Sequence, residues 1–277
     1  MLYEARFDRT GMTDYHILQP PHLLSSPLRG FFRTEKGSDF KHLRSLFPPQ
    51  WKTWLMGGVL RDLLLEAIRK AEVEPADIDL VISGAPSIDV VRKRLGNMRN
   101  SSNSFGGIKC QFRPKSMIFD LWRMEDHPNM STASEPHTIE QLLRHNLLDV
   151  EAIAWDPETD VLHDCGCIKA IKEGTIGLMG PEGICQRFMA AQAAHAISIA
   201  FKTQFKIRDD VRAFIATALD ECGRDKILEI LERKLPHLSG ELEVLCKDLL
   251  QRGVYACPAP TRTAHKKKSS SLLNTRP

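Results

Sequence analysis

The sequence has no long apolar run and no strong excess of charge of either sign. No apolar stretch approaches the roughly 20 residues that a membrane-spanning helix needs, so we expect no membrane association. The N-terminus has no basic segment followed by an apolar one, and we therefore expect no secretion signal. A formal net charge of +3 is too small to indicate nucleic-acid binding by itself. Together these absences predict a cytoplasmic protein.

Regular cysteine pairing is also absent. The chain has seven cysteines, an odd number without a regular spacing, which predicts free thiols in a reducing compartment. Cys165 and Cys167 follow His163-Asp164, but no second pair of ligands stands at the spacing of a zinc finger. The sequence therefore favours free thiols over a zinc site.

A glycine pair stands at the start of a segment with helical periodicity. Residues 54–56 (Trp-Leu-Met) predict a short buried strand, and Gly57-Gly58 ends it. After Gly58, apolar residues recur at spacings of three and four, as on one helical face: Leu60, Leu63, Leu64, Ala67, Ile68 and Ala71. The N–H groups at such a helix start attract anions, and glycine lets a phosphate approach closely. A glycine pair alone is more often only a tight turn.

Two aspartates follow on a predicted strand, residues 77–82. Alternation places Asp77, Asp79 and Val81 on one face, whereas the isoleucines and the leucine between them lie on the other. Adjacent carboxylates repel each other unless a cation or a basic group lies between them. Magnesium prefers carboxylate oxygens together with substrate phosphates. After a glycine helix start, this pair predicts a site for a metal-bound nucleotide; the alternative is a solvated strand end.

A third carboxylate is expected on a neighbouring strand, because a second metal ion needs its own ligand. The candidate is Asp120, which shares a face of the predicted strand 117–122 with Ile118 and Trp122. An aspartate in such an apolar strand is costly unless something pairs with it. We therefore predict that Asp77, Asp79 and Asp120 are catalytic and bind two magnesium ions.

These motifs resemble those of a known family. Residues 57–62 (Gly-Gly-Val-Leu-Arg-Asp) followed by Asp-Ile-Asp at 77–79 are similar to the catalytic head of the polymerase-β-like nucleotidyltransferases. The resemblance is greatest to CCA-adding tRNA nucleotidyltransferases and bacterial poly(A) polymerases, and it extends to about Lys206. It implies a metal-dependent enzyme that transfers a nucleoside monophosphate from a triphosphate to a hydroxyl and releases pyrophosphate. By analogy, the acceptor is an RNA 3′ end such as that of tRNA.

Two motifs of that family are incomplete here. The family's ribose-contacting motif reads Arg-Arg-Asp, whereas residues 144–146 read Arg-His-Asn. The CCA-adding enzymes select bases with Glu-Asp-x-x-Arg, whereas residues 182–187 keep the arginine and lack the aspartate at the matching distance. We therefore do not predict ordered CCA addition. The predicted nucleotide contacts are Gly57, Gly58, Arg61, Arg144 and Arg187; for Arg61 an ion pair with a nearby acid is the alternative.

Two other functions stay open on the sequence. The altered base-selection motif and the small helical region are compatible with transfer of a nucleotide to a protein or a small molecule. A non-catalytic nucleotide- or RNA-binding module is a further alternative, although the presence of all three acids argues against it. Incubation with each labelled triphosphate, magnesium and either RNA or proteins would separate these functions.

The order of predicted elements indicates an α+β protein, with a mixed-sheet nucleotidyltransferase head followed by a small all-helical domain. We predict an irregular N-terminal extension (1–48), the head (49–178), the helical domain (179–255) and a disordered basic tail (256–277). A long helix is predicted to begin at Pro181 and to pack His195 on its apolar face. Three shorter helices are predicted over 208–222, 225–235 and 241–251.

Overall fold

A mixed sheet of eight strands forms the centre of the protein. The computed structural model describes residues 14–70, 77–103, 106–114, 116–127, 130, 137–238 and 242–252. The strands of the sheet are β1 (His16–Leu18), β2 (Lys52–Met56), β3 (Asp77–Ser83), β4 (Arg99–Ser102), β5 (Ile108–Gln111), β6 (Ile118–Arg123), β7 (Ile153–Asp156) and β8 (Val161–Asp164). Their order is β1-β8-β7-β2-β3-β6-β5-β4, and only β3 and β6 run parallel to each other. A separate parallel pair consists of β9 (Thr175–Ile176) and β10 (Lys206–Ile207).

Ten helices accompany these strands in the described part of the chain. They are α1 (Ser25–Phe31), α2 (Glu35–Ser45), α3 (Gly58–Arg69), α4 (Ile88–Arg94), α5 (Ile139–Arg144), α6 (Cys167–Glu173), α7 (Met189–Thr203), α8 (Asp209–Cys222), α9 (Arg224–Lys234) and α10 (Leu242–Arg252). None of the described helices is both long and apolar enough to cross a membrane. The predicted α+β class is confirmed.

The two faces of β3 differ as its alternation predicts. Ile78, Leu80 and Ile82 are buried in the main apolar core. Val81 instead packs in a smaller apolar cluster with Trp54 of β2. Asp77 and Asp79 lie on the face of Val81, because side chains two residues apart in a strand point to the same side. The central strand therefore presents both carboxylates on the side of the smaller cluster.

The prediction of an irregular N-terminal extension is wrong for its described part. Strand β1 pairs with β8, and the helices α1 and α2 bury Leu28 and Leu43 in the main core. The prolines of this region indicated breaks, but Pro27 lies in the first turn of α1, where a missing N–H is tolerated. Residues 1–13 lie outside the described part, as does the predicted tail from 256 onward.

The long helix of the second region begins later than predicted. Residues 181–183 and 186–188 form short 3₁₀ turns, and α7 begins only at Met189. The side chain of Gln192 accepts a hydrogen bond from the backbone N–H of Cys185 (2.9 Å) and donates one to the carbonyl of Gly183 (2.7 Å). These bonds satisfy backbone groups that a longer helix would have paired internally. The next three helices begin and end within one residue of their predicted bounds.

One apolar core continues from the head into the helical region. It includes Leu60 of α3, Ile171 of α6, Ile197 of α7 and Leu231 of α9, each no more than 1% exposed. Burial of this kind ties the elements together through the hydrophobic effect. The domain division near residue 178 stays a prediction.

Candidate active site

Gly57 forms the turn between β2 and α3. Its φ of 61° and ψ of −125° are readily adopted only by glycine. Its N–H donates to the carbonyl of Ile153 (3.2 Å), whereas its own carbonyl accepts the first hydrogen bond of α3, from the N–H of Arg61 (3.0 Å). The N–H groups of residues 58–60 therefore have no acceptor within the helix. Gly57 provides the shape of the turn, and Gly58 begins the set of donors that a phosphate can reach.

The glycine turn lies directly beside the second aspartate. Strands β2 and β3 are antiparallel, with Met56 opposite Asp79. A Cβ atom placed on Gly57 would lie 3.5 Å from Asp79 Oδ2. The helix start and the carboxylate pair, which the sequence linked only through their spacing, are therefore neighbours in space.

Asp79 is surrounded by negative charge. In the parallel pairing of β3 and β6, Asp79 is opposite Asp120 and Asp77 is opposite Ile118. Burial raises the pKa of Asp79 well above its usual range, and the charges of Asp77 and Asp120 raise it further. Among the described residues, no basic side chain forms an ion pair with Asp77 or Asp79. A cation at this pair would relieve the repulsion.

Asp120 has different surroundings from the other two aspartates. Its Oδ1 accepts a hydrogen bond from Asn103 Nδ2 (2.7 Å), and its Oδ2 accepts one from Lys109 Nζ (2.6 Å). The backbone N–H of Gly107 in turn donates to Asn103 Oδ1 (2.8 Å) and orients that amide. Both oxygens of Asp120 are therefore engaged by groups of the protein itself.

The chemistry of the aspartate pair fits a magnesium ion. Asp77 and Asp79 offer carboxylates on one face of a strand, and magnesium is commonly held by one or two carboxylates plus substrate phosphates. Across the described residues, no three histidine, cysteine, aspartate or glutamate side chains form a group that could hold a metal ion. The predicted role of Asp120 as the ligand of a second ion stays a prediction; each of its oxygens already accepts a hydrogen bond, from Asn103 and from Lys109.

Arg61 lies inside the protein as the centre of an ion-pair network. Its Nη1 donates to Glu151 Oε1 (2.5 Å), and its Nη2 lies 2.8 Å from Asp62 Oδ1. Glu151 Oε2 accepts from His195 Nε2 on α7 (2.6 Å). Burial by itself would raise the pKa of Glu151, but His195 and Arg61 lower it to about 2. Of the two roles predicted for Arg61, the structure shows the ion pair.

Sequence reasoning missed Glu151 and misjudged His195. The prediction that His195 packs in an apolar core is wrong, because its ring is paired with a carboxylate. The partners of Glu151 lie 90 and 44 residues away along the chain, so no local pattern connects them. The one available signal was an acid within the apolar segment 147–154, which is costly unless it is paired.

The remaining predicted residues lie apart from this network. Arg144, at the end of α5, donates from Nε and Nη2 to Glu140 Oε1 (3.1 and 3.0 Å). Arg187 is exposed, with its guanidinium carbon 5.2 Å from the centre of the Phe188 ring. Their roles as nucleotide contacts stay predictions. Cys165 and Cys167 lie in different apolar clusters, and the thiol of Cys167 donates to the carbonyl of Val150 (2.9 Å).

The segment that carries this site matches a known family. Residues 53–177 match the head domain of poly(A) polymerase. The sequence of this segment is therefore similar to that family's head domain. The matched segment contains the glycine turn, all three aspartates and Glu151, whereas Arg187 and His195 lie beyond it.

The fold of the chain is similar to that of CCA-adding enzymes. A CCA-adding enzyme in complex with ATP is 18% identical, with a TM-score of 0.58 over 86% of this chain and 55% of that one. A CCA-adding enzyme with CTP is 19% identical, with a TM-score of 0.55 over 79% and 50% of the two chains. The enzyme of Bacillus stearothermophilus with CTP is 18% identical, with a TM-score of 0.52 over 75% and 52%. The chain thus spans about half the length of these proteins. No curated protein matches it significantly in sequence.

Proposed function

We propose that this protein transfers a nucleoside monophosphate from a nucleoside triphosphate to a hydroxyl at an RNA 3′ end. The observation that carries the proposal is the aspartate pair of β3 directly beside the glycine turn. One element offers backbone donors for phosphates, and the other offers carboxylates for a metal ion. Both stand in the head domain of a nucleotidyltransferase family.

The chemistry is an in-line displacement at the α-phosphorus. The hydroxyl oxygen of the acceptor forms a bond to the α-phosphorus, while the bond from that phosphorus to the oxygen bridging the β-phosphate breaks. Pyrophosphate leaves with the electron pair, and the hydroxyl proton passes to solvent. A magnesium ion held by Asp77 and Asp79 would neutralise phosphate charge and lower the pKa of the hydroxyl.

The chain's own groups bind the triphosphate. The N–H groups of residues 58–60 donate to its oxygens at the positive end of the α3 dipole. Gly57 keeps the turn narrow, so that the phosphates can approach Asp79 without meeting a side chain. Arg61 acts indirectly: by pairing with Glu151 it holds the start of α3 against the neighbouring turn.

The choice of RNA as the acceptor rests on analogy with the CCA-adding enzymes of similar fold. Transfer to a protein or a small molecule is the second candidate. It is favoured by the 3₁₀ turns at 181–188, which carry Arg187 without the aspartate that forms the base-selecting pair in the family.

The test is a transfer assay with each of the four labelled triphosphates, magnesium, and either RNA lacking its 3′ CCA, total RNA or a protein extract. We expect label at RNA 3′ ends. Label found only in protein would replace the RNA acceptor with the second candidate. No label in any fraction would contradict nucleotidyl transfer itself.

A further inference from the structure

A lysine ammonium is paired with the third aspartate of the site. Lys109 Nζ is 2.6 Å from Asp120 Oδ2. Burial would lower the pKa of Lys109, but the hydrogen bond to Asp120 and the charges of Asp120, Asp77 and Asp79 raise it. The Lys109 side chain is 45% exposed, so water can reach it. Its ammonium nevertheless turns toward the acids.

The pairing of Lys109 with Asp120 is built into the sheet. Lys109 of β5 and Asp120 of β6 are directly opposite each other in the antiparallel ladder. Side chains at such positions lie next to each other on one face. The other oxygen of Asp120 is held by Asn103, and Gly107 orients that amide. The carboxylate is therefore fixed from both sides.

Lys109 lies on the far side of the aspartates from the glycine turn. In the strand order β2-β3-β6-β5, the turn follows β2 and Lys109 belongs to β5. Lys109 also borders a cavity of about 310 Å³ that is lined by Arg99, Gln111 and Ile118 among others. In-line displacement brings the acceptor hydroxyl in opposite the leaving pyrophosphate. If the triphosphate lies at the glycine turn, the acceptor side is the side of Lys109.

We propose that the Lys109 ammonium takes the place of a second cation on the acceptor side, so that the protein binds one divalent ion with its triphosphate. Asp120 is then a positioning residue that holds Lys109. The inference rests on the proposed function, because it assumes that Asp77 and Asp79 bind the metal of a bound triphosphate. It differs from the prediction of two magnesium ions, because Lys109 and Asn103 already donate hydrogen bonds to the two oxygens of Asp120.

The experiment counts Mn²⁺ ions bound to the full chain with a non-hydrolysable ATP analogue, by the loss of the free-ion signal in electron paramagnetic resonance. We expect one ion for the wild type and for Lys109→Arg, which keeps the positive charge. We expect two for Lys109→Met, because Oδ2 of Asp120 is released, and one again for Lys109→Met/Asp120→Asn. The matched control is Lys52→Met, an exposed lysine at the other end of β2, with one ion expected. Thermal unfolding verifies that each variant is folded.

Two ions in the wild type, or a single ion in folded Lys109→Met, would overturn the inference. The wild-type count tests it even if Lys109→Met fails to fold. Failure of the proposed function gives a different result. In that case the analogue does not bind, or Asp77→Asn/Asp79→Asn leaves the ion count and the affinity for the analogue unchanged.

Discussion

Glu151 connects the start of α3 to the helical region. One of its oxygens accepts from Arg61 of α3, and the other accepts from His195 of α7. Arg61 is 5% exposed, so the charges of this network must compensate one another. Removing one member leaves an unpaired buried charge, which commonly costs about 3–5 kcal/mol. The position of the start of α3 therefore depends on Glu151.

The pKa of Glu151 predicts how stability depends on pH. Its folded pKa of about 2 lies below the ordinary value of 4.5, so its contribution is complete above about pH 4.5 and is lost as the pH falls toward 2. We expect Glu151→Gln to lower the free energy of unfolding at pH 7 by on the order of 3 kcal/mol. The difference from the wild type should shrink below pH 4.5. Denaturant titrations measure this, and the exposed Glu173→Gln is the control. An equal loss at pH 7 and pH 2.5 would contradict the assignment.

Gly58 has space for a Cβ atom in the folded protein but not beside a bound phosphate. A Cβ on Gly58 would meet Arg61 Nη2 at 3.5 Å, an ordinary contact, so we expect Gly58→Val to fold. The branched side chain would stand beside the N–H groups at the start of α3 and weaken triphosphate binding by roughly tenfold or more. Calorimetric titration of an ATP analogue checks this. Gly30→Val is the control, since a Cβ there meets nothing within 4 Å. Unchanged affinity in folded Gly58→Val would leave the glycine pair as a structural turn only.

At the scale of single elements, the sequence predicted those features that depend on residues close together in the chain. The alternation of β3, the periodicity of α3 and the capping box of α5 at Thr138 all depend on residues within a few positions of one another. The predicted start of α7 was wrong because the side chain of Gln192 forms hydrogen bonds with the backbone of Gly183 and Cys185, which precede the helix. The contact of Asp120 with Lys109 depends on strand pairing, which the sequence does not specify by itself.

The segment 180–188 determines a prediction about base choice. Its 3₁₀ turns present Arg187 exposed and stacked near Phe188. An arginine donates hydrogen bonds but accepts none, so alone it cannot satisfy the amino group of cytosine or adenine. We therefore expect a single preferred nucleotide or relaxed base choice, not ordered addition of C, C and A. Sequencing the 3′ ends of tRNA lacking CCA after incubation with all four triphosphates checks this. Faithful restoration of CCA would show that another part of the chain selects the base.

At the scale of the whole molecule, α1 contributes to the same core as the head and the helical region. Leu28 of α1 is 2% exposed within that core. We expect Leu28→Ala to lower the free energy of unfolding by about 2–5 kcal/mol. Because the core is continuous, unfolding should be a single transition, and its midpoint should be the same by circular dichroism and by tryptophan fluorescence in the wild type and in the variant. Leu23→Ala, at a residue 38% exposed, should have little effect. Two separate transitions would show that the head and the helical region fold independently.

The central claim is that the aspartate pair beside the glycine turn performs nucleotidyl transfer. The most direct measurement is incorporation of labelled nucleotide into RNA by the wild type and by Asp77→Asn/Asp79→Asn. Asparagine keeps the shape of each side chain and removes the mutual repulsion at Asp79, so the variant should be at least as stable as the wild type. The exposed Asp89→Asn is the control. We predict transfer by the wild type and by the control, and none by the folded double variant; transfer by the double variant at the wild-type rate would contradict the account.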